Sequence, residues 1–497
     1  MTSSTTAKRH FGAVPPLISV DRNSQKSLYR QIYEAFRTRI FDGELRAGQL
    51  VPSTRQLALD LRVSRFPVLN AYAQLLAEGY FESRMGAGTF IASSLPGEPR
   101  SQHRKTALEF TAGARPVAAH TSTLPLYAKP SWADHLGPFQ LGQPELNAFP
   151  LQVWSKLVAR YSRNMRVQEL QYGDAMGMKP LREAIAVYLG TARGVVCEAD
   201  QIMIVNGSQQ ALDITTRVLL DRGTPVWVEE PGYWLVHHVL KTAACQPIPV
   251  PVDSEGLEVA EGIKLSAKAR AAFVAPSHQF PLGVTMSASR RFQLLEWAEK
   301  AGAWIIEDDY DSEYRYDSSP ISALQGLDRN SRTIYIGTFS KVLFPSLRLG
   351  YIVIPPDLVE RFAAVRQAMD LCPSPVNQAV LTDFIRQGHF GRHIRKMREV
   401  YRERRRLLVS EIRHQIGSAC TIVGGEAGLH LTILLNSQVR DTEITARAFK
   451  RKLWLSPLSL SYVGVDPRQG LVLGYGNTPT SQIPEALRLL KTLVIKE

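Results

Sequence analysis

The sequence predicts a small α+β module followed by a larger α/β body, whose mostly parallel sheet is covered by helices. Leu28, Ile32, Phe36 and Ile40 recur every four residues, which is the spacing of one buried helix face, and a glycine-centred hairpin pattern follows downstream. From about residue 200 onward, short runs of Val, Ile and Leu alternate with helical stretches. Residues 96–134 are rich in Pro, Ser, Ala, Arg and His without a sustained period, which indicates a linker between the two parts.

Composition narrows the class of protein. The chain has 497 residues, 44% of them hydrophobic, and its 59 basic and 46 acidic side chains give a formal charge of +13. The length predicts more than one domain, and the composition excludes a disordered chain, a collagen-like fibre and a small disulfide scaffold. The four cysteines are widely separated, and we find neither a signal peptide nor an apolar run long enough to span a bilayer. We therefore expect a cytoplasmic protein without a membrane partner and without a metal site.

Residues 21–95 carry the pattern of three helices and a hairpin, after an arm at residues 1–20 that we expect to be flexible. Ser53 is placed to cap the second helix, and Ser64 is placed to cap the third. The positions that we expect to face inward on these two helices are Leu57, Ala58, Leu61, Val68, Tyr72 and Leu75. This is the layout of a winged helix-turn-helix, whose recognition helix enters the major groove of DNA by its amino-terminal end.

The residues at that end suit contact with double-stranded DNA. Ser64 and Arg65 could reach a phosphate or a base edge, and Arg55 could contact a guanine from the preceding helix. Gly88, in the turn of the hairpin, would let the wing approach the minor groove. The alternative is a three-helix packing unit whose arginines are merely solvated.

Three motifs make this segment similar to the GntR type of winged helix-turn-helix. They are the Pro-Ser-x-Arg-x-Leu-Ala run at 52–58, Val-Ser-Arg at 63–65 and the Gly-x-Gly-Thr-Phe wing at 86–90. The resemblance implies an α+β DNA-binding head. Phe66 and Pro67 depart from it, because such regulators more often carry polar residues at these two positions.

In the body, the most informative string is Gly-Thr-Phe-Ser-Lys at 337–341, which follows a buried strand. Lys341 is a candidate for a Schiff base, since its amine would be partly desolvated and therefore nucleophilic. Arg348 could hold a phosphate with two hydrogen bonds, and the Thr338 hydroxyl could assist. Taken alone, this string could also belong to an ordinary lysine on the protein surface.

Other strand ends support a cofactor site. Residues 206–211 follow a strand and open a helix, which makes Ser208 and Gln209 part of an anion site. Asp308 ends another strand, where a carboxylate can pair with a protonated pyridine nitrogen. Tyr233 follows a third strand and could stack on a flat cofactor. The carboxyl ends of parallel strands are where open α/β sheets bind ligands.

Residues 135–497 therefore resemble the fold-type I aminotransferases, which depend on pyridoxal 5'-phosphate (PLP). The resemblance implies an α/β body in which Lys341 forms the internal aldimine and Asp308 pairs with the pyridine nitrogen. It also implies Tyr310 near the phenolic oxygen and Tyr233 on the ring. The residues that it places around the phosphate are Ser208, Gln209, Thr338 and Arg348.

Two positions of the body depart from active aminotransferases. Phe280 replaces an asparagine that bonds the phenolic oxygen, and His278 or Gln279 is expected to substitute for it. Val472 stands where an arginine usually holds the substrate carboxylate, and a valine cannot form that ion pair.

The order of head, linker and body resembles the MocR/GabR/PdxR regulators. This resemblance implies a PLP-dependent transcriptional regulator that senses an amine or PLP itself. It also implies a homodimer with exchanged heads that binds an operator with paired half-sites. The alternatives are an active aminotransferase that carries a DNA-binding domain and a regulator whose body has lost the cofactor. Phe280 and Val472 argue against the enzyme, and the retained lysine, aspartate and phosphate-binding residues argue against cofactor loss.

A second basic stretch lies near the end of the body. Residues 386–413 contain ten Lys or Arg and three Glu. Either this is a solvated helix face, or the helix lies against the DNA path or against an acidic face of a partner subunit.

Overall fold

A computed structural model describes residues 18–93, 118, 124, 137–316, 321–424, 426–436, 439–464 and 466–495. The chain divides into two compact units, residues 1–116 and 117–497. The predicted arm lies outside the described residues except for its last three, and the predicted linker does so except for Ala118 and Leu124. Both therefore stay predictions.

The first unit, the head, contains three helices and a two-stranded antiparallel sheet. They are α1 (Leu28–Phe41), α2 (Thr54–Asp60), α3 (Arg65–Ala77), β1 (Phe81–Arg84) and β2 (Gly88–Ile91). Ile32, Phe36 and Ile40 are buried on α1, as their spacing predicts. The ring of Phe36 packs edge-on against Tyr72 of α3 at 5.6 Å and against Phe81 of β1 at 5.2 Å. One aromatic cluster thus joins the first helix, the recognition helix and the wing.

The two predicted serine caps differ. The Ser53 hydroxyl accepts a hydrogen bond from the Gln56 amide at 3.1 Å. Ser64 occupies the predicted N-cap position of α3, but its side chain makes no capping hydrogen bond. Pro67, the third helical residue, has no amide, so the Phe66 amide is the donor that a capping hydroxyl could use here.

The second unit, the body, is built on an eight-stranded sheet whose order is β3-β10-β9-β8-β7-β4-β5-β6. The strands are β3 (Ile202–Val205), β4 (Pro225–Glu230), β5 (Gln246–Asp253), β6 (Gly256–Leu257), β7 (Ala271–Val274), β8 (Trp304–Asp309), β9 (Thr333–Thr338) and β10 (Gly350–Val353). The four pairings that join β5, β4, β7, β8 and β9 are all parallel, whereas β10 and β6 are antiparallel to their neighbours. The mostly parallel sheet that the sequence predicts is confirmed.

Helices cover this sheet and support a smaller antiparallel one. The helices are α4 (Leu151–Asn164), α5 (Lys179–Arg193), α6 (Ser208–Leu219), α7 (Trp234–Thr242), α8 (Val259–Leu265), α9 (Ala288–Ala301), α10 (Val359–Asp370), α11 (Pro375–Arg386), α12 (His389–Gln415), α13 (Asp441–Lys450) and α14 (Ile483–Val494). The smaller sheet has the order β11-β12-β14-β13, with β11 (Cys420–Val423), β12 (His430–Leu435), β13 (Ser456–Pro457) and β14 (Gly470–Gly474). Among the described residues, no helix is both long and apolar enough to cross a bilayer.

The basic helix α12 uses part of its charge inside the body. Arg398 donates to the Glu313 carbonyl at 2.9 Å, and buried Arg404 bonds the Gly476 carbonyl and the Glu145 carboxylate. Arg402 pairs with Glu399 of the same helix at 2.6 Å. A purely solvated face is therefore the wrong description of α12. Its contact with DNA or with a partner subunit stays a prediction.

Candidate functional site

A cavity of about 590 Å³ opens in the body where strands β4, β7, β8 and β9 end. All eight residues that the sequence predicts for the cofactor line it: Ser208, Gln209, Tyr233, Asp308, Tyr310, Thr338, Lys341 and Arg348. They come from several strand ends and from the start of α6, so the parallel sheet brings them together at one edge. The function of each residue stays a prediction, but their common location is a structural fact.

Lys341 follows β9, and its amine lies in this cavity. Its Nζ donates to the Gly142 carbonyl at 3.2 Å. A Cβ atom at residue 142 would stand 2.6 Å from that Nζ, so a side chain at this position would displace the amine. Burial lowers the pKa of Lys341, although Asp311 and Asp308 oppose the shift. A lysine with a lowered pKa exposes more of its neutral, nucleophilic form.

Asp308 faces the cavity from the end of β8. Its Oδ1 atom is buried and has no hydrogen-bond partner within the described part of the chain. Burial, together with the neighbouring carboxylates of Asp309 and Asp311, raises the pKa of Asp308 to about 7, and Lys341 opposes this. A buried carboxyl without a partner is costly, and the N–H group of a protonated pyridine would satisfy it. The site therefore fits the ring nitrogen of PLP.

The opposite end of the site suits a phosphate. Helix α6 begins at Ser208, directly after Gly207, so its first amides are free to bind an anion. Arg348 adopts a left-handed φ of 52° and donates to the Asn206 carbonyl at 2.8 Å. A Cβ at Gly207 would come within 2.9 Å of the Arg348 Nη2, so the guanidinium lies close against this glycine. A guanidinium and a helix N-terminus thus converge at this end of the cavity.

Phe280 occupies the place of the expected asparagine, between Gln279 and Pro281. Phe280 lines the cavity and packs edge-on against Tyr233 at 5.7 Å. The expectation that Gln279 substitutes is wrong, because its amide donates to the Pro231 carbonyl at 2.8 Å and to the Phe280 carbonyl at 2.6 Å. His278 instead lies behind Tyr310, whose hydroxyl is 3.2 Å from the His278 Nδ1.

The structure adds a buried cluster of His278, Asp311 and His430 that the sequence analysis missed as a group. Asp311 lies 2.9 Å from the His278 Nδ1 through Oδ1, and it accepts from the Leu429 amide at 3.1 Å through Oδ2. The rings of His278 and His430 are 4.7 Å apart. Asp311 continues the acidic run of β8, which could have signalled it, whereas His430 comes from β12 of the smaller sheet and had no local signal.

The donor atoms of this cluster lie within 4.8 Å of one another, a spacing that a metal ion could use. Hydrogen bonds already account for both oxygens of Asp311 and for one nitrogen of each histidine. The absence of a metal site stays a prediction.

Val472 does not face the cavity at all. It is buried on β14, where it packs with Val252, Leu282 and Leu458. Among the described residues that line the cavity, Arg348 is the one arginine, and it stands at the phosphate end. The described site therefore lacks the usual clamp for a substrate carboxylate.

In the head, the four residues predicted to meet DNA are all exposed: Arg55, Ser64, Arg65 and Gly88. The Nε of Arg65 donates to the Thr54 hydroxyl at 3.1 Å, which joins the start of α3 to the start of α2. Gly88 has a φ of 109°, and a Cβ there would stand 3.1 Å from the Leu50 Cδ1. Both its backbone conformation and this contact favour glycine.

Comparison with known proteins matches each unit to a family. Residues 139–488 match the family "Aminotransferase class I and II", and residues 28–91 match "Bacterial regulatory proteins, gntR family". The chain is 38% identical over 476 residues to the probable rhizopine catabolism regulatory protein MocR of Rhizobium meliloti, covering 96% of this chain and 95% of that protein.

Two further similarities extend this match. The pyridoxine biosynthesis transcriptional regulator PdxR of Corynebacterium glutamicum is 29% identical, over 93% of this chain and 94% of that protein. The crystal structure of Pyrococcus horikoshii kynurenine aminotransferase, in complex with PMP, superposes with a TM-score of 0.70 at 28% identity. It covers 76% of this chain and 96% of that one.

Proposed function

Because the chain belongs to the MocR type of helix-turn-helix transcriptional regulators, in which a GntR-family head precedes an aminotransferase-like body, we propose that it couples DNA binding to the occupancy of the cavity in its body. The observation that carries this proposal is that all eight predicted cofactor residues line one cavity in a chain that also has a DNA-binding head.

We propose that PLP occupies the cavity. When bound, PLP supplies an aldehyde that reacts with primary amines. Lys341 would hold it covalently and Asp308 would pair with its ring nitrogen. Tyr233 would stack on the ring, and Tyr310 would reach the phenolic oxygen. The residues that would bind the phosphate are Ser208, Gln209, Thr338 and Arg348.

The effector follows from the same chemistry. The lowered pKa of Lys341 keeps its amine ready to exchange with another amine, so we propose an amine-containing metabolite or PLP itself as the signal. Phe280 stands in place of the asparagine that bonds the phenolic oxygen of the cofactor in active aminotransferases, and the buried Val472 stands in place of the arginine that holds the substrate carboxylate. These departures favour sensing over turnover.

The assembly that we propose is a homodimer with exchanged heads, bound to an operator with paired half-sites. Two heads held by one dimeric body bind half-sites whose spacing follows the distance between the heads. A change in the body that alters this distance would change operator affinity.

The test uses the full-length protein with PLP added. We expect a visible absorbance band that a primary amine shifts, together with a change in affinity for its own promoter DNA, measured by fluorescence anisotropy. Lys341→Ala should lose the band completely and keep DNA binding without the response to amine. Lys300→Ala, which removes an exposed lysine paired with Glu296, is the matched control. A Lys341→Ala protein that responds to amines like the wild type would contradict the proposal.

A further inference from the structure

The recognition helix exposes two large apolar side chains at the end that would meet DNA. Phe66 is 70% exposed and Leu69 is 42% exposed. They are three residues apart on α3 and therefore lie on one face, whereas Val68, Tyr72 and Leu75 form the buried stripe of the same helix. Phe66 and Leu69 thus lie outside the hydrophobic core of the head.

The surroundings of these two side chains suit a nucleic acid. Arg65 directly precedes Phe66, and Asn70, also exposed, follows it by one helical turn. No acidic residue occurs between Arg65 and Ala77, and residues 1–95 carry twelve basic against seven acidic side chains. Arg65 and Asn70 surround this apolar patch with a positive charge and an amide. Such a surface complements the negatively charged groove of DNA better than it complements an apolar protein surface.

The geometry of the first turn strengthens this assignment. The Ser64 hydroxyl makes no capping hydrogen bond and stays exposed beside Phe66. Arg65 is held by its hydrogen bond to Thr54, which orients the start of the helix. Phe66 is therefore presented at the leading end of α3, the end by which a recognition helix enters the major groove.

We propose that Phe66, supported by Leu69, reads the C5-methyl group of thymine in the major groove and makes the head selective for thymine at one or two positions of each half-site. Thymine is the one base that presents a methyl group there, and phenylalanine is among the side chains that contact it. The inference rests on the proposed function, because it requires that the head bind duplex DNA.

The experiment replaces thymine with deoxyuridine, which removes the methyl group and keeps every hydrogen bond of the base pair. The preferred operator is first selected from randomised duplexes with the full-length protein. Each thymine is then replaced singly, and affinity is measured by fluorescence anisotropy. We expect a loss of about fourfold at one or two positions per half-site, which is the value for burying one methyl group.

Variants identify the side chain responsible. Phe66→Ala should bind the thymine and deoxyuridine duplexes equally, and Phe66→Leu should retain part of the preference. Leu76→Ala truncates another exposed apolar residue of α3, 37% exposed near its far end, and should keep the full preference.

The outcomes separate this inference from the proposed function. A wild-type protein that binds its operator with equal affinity after every replacement overturns the inference and leaves the function intact, even if the Phe66 variant fails to fold. A Phe66→Ala protein that keeps the thymine preference, or that changes only its self-association, also overturns it. A protein that binds no duplex overturns the proposed function itself.

Discussion

The head and the body both concentrate polar side chains at one place, but they do so in opposite environments. Arg55, Ser64 and Arg65 of the head are exposed. Lys341 and Asp308 of the body lie in a cavity where burial lowers the pKa of the amine and raises that of the carboxyl. Exposed charges act over distance and are screened by salt, whereas buried ones gain reactivity at a cost in solvation. The head therefore offers exposed charges to its proposed ligand, whereas the body offers buried groups with shifted pKa values.

The largest expected difference between the two units is in how salt concentration changes the affinity of each unit for its ligand. Between 50 and 200 mM salt we expect operator affinity to fall on the order of 10³-fold, because a paired-site complex neutralises several phosphates. Affinity for PLP should change by less than about threefold, since its contacts are enclosed. Anisotropy and spectral titration on the same preparation measure both.

The same titration tests one head residue. Arg65→Ala should lower the salt slope of operator binding by about one, while Arg30→Ala removes an exposed arginine of α1 that pairs with Glu34 and should leave the slope unchanged. If the affinities for operator DNA and for PLP depend equally on salt, the proposed distinction between the two units is wrong.

A glycine pair tests whether the phosphate end of the cavity depends on close packing. Gly207→Ala places a Cβ 2.9 Å from the Arg348 Nη2, so we expect the guanidinium to shift and PLP affinity to fall about tenfold. Gly223→Ala has a similar φ of 78° but meets nothing within 4 Å. Both changes should destabilise the body by about 1 kcal/mol, and only the first should weaken the cofactor. Equal PLP affinities in the two variants would show that Arg348 does not need that space.

The smallest expected effect is a pH dependence of stability in the cofactor-free protein. Because the pKa of Asp308 is raised to about 7, the folded state keeps a proton that the unfolded chain loses near about pH 4. The contribution of Asp308 to stability therefore falls as the pH rises through that window. Asp308→Asn does not titrate, so its free energy of unfolding relative to wild type should increase by up to about 1.4 kcal/mol for each pH unit from the acidic to the neutral end of the window.

Urea denaturation followed by tryptophan fluorescence measures this effect in the body alone, since all seven tryptophans lie after residue 130. Asp357→Asn, at an exposed carboxylate, is the control. The same pH dependence in both variants would contradict the assigned role of burial.

The sequence predicted the cofactor residues because each belongs to a local string at a strand end. Lys341 follows β9 and Ser208 opens α6, so a linear pattern placed them. His430 could not be found in this way, because it reaches the cavity from β12 of the smaller sheet through tertiary packing. The orientation of the Gln279 amide also depends on partners, such as the Pro231 carbonyl, that are distant in the chain.

The start of α3 could be predicted from the sequence only in part. Pro67 stands three residues after Ser64 and offers no amide, which removes one of the two usual donors to a capping hydroxyl. Whether the hydroxyl uses the other donor, the Phe66 amide, depends on the orientation of the serine side chain, which the local sequence does not determine.

The contact between Lys341 and the Gly142 carbonyl also has an evolutionary meaning. Residue 142 has a φ of 70°, which asparagine tolerates, but a side chain there would force the nearby amine to move. A descendant that discarded the lysine would release that spatial restriction, and substitutions at residue 142 could then accumulate by drift. The residue type at position 142 in related chains would thus indicate whether those chains have kept the cofactor, and no spectrum would be needed.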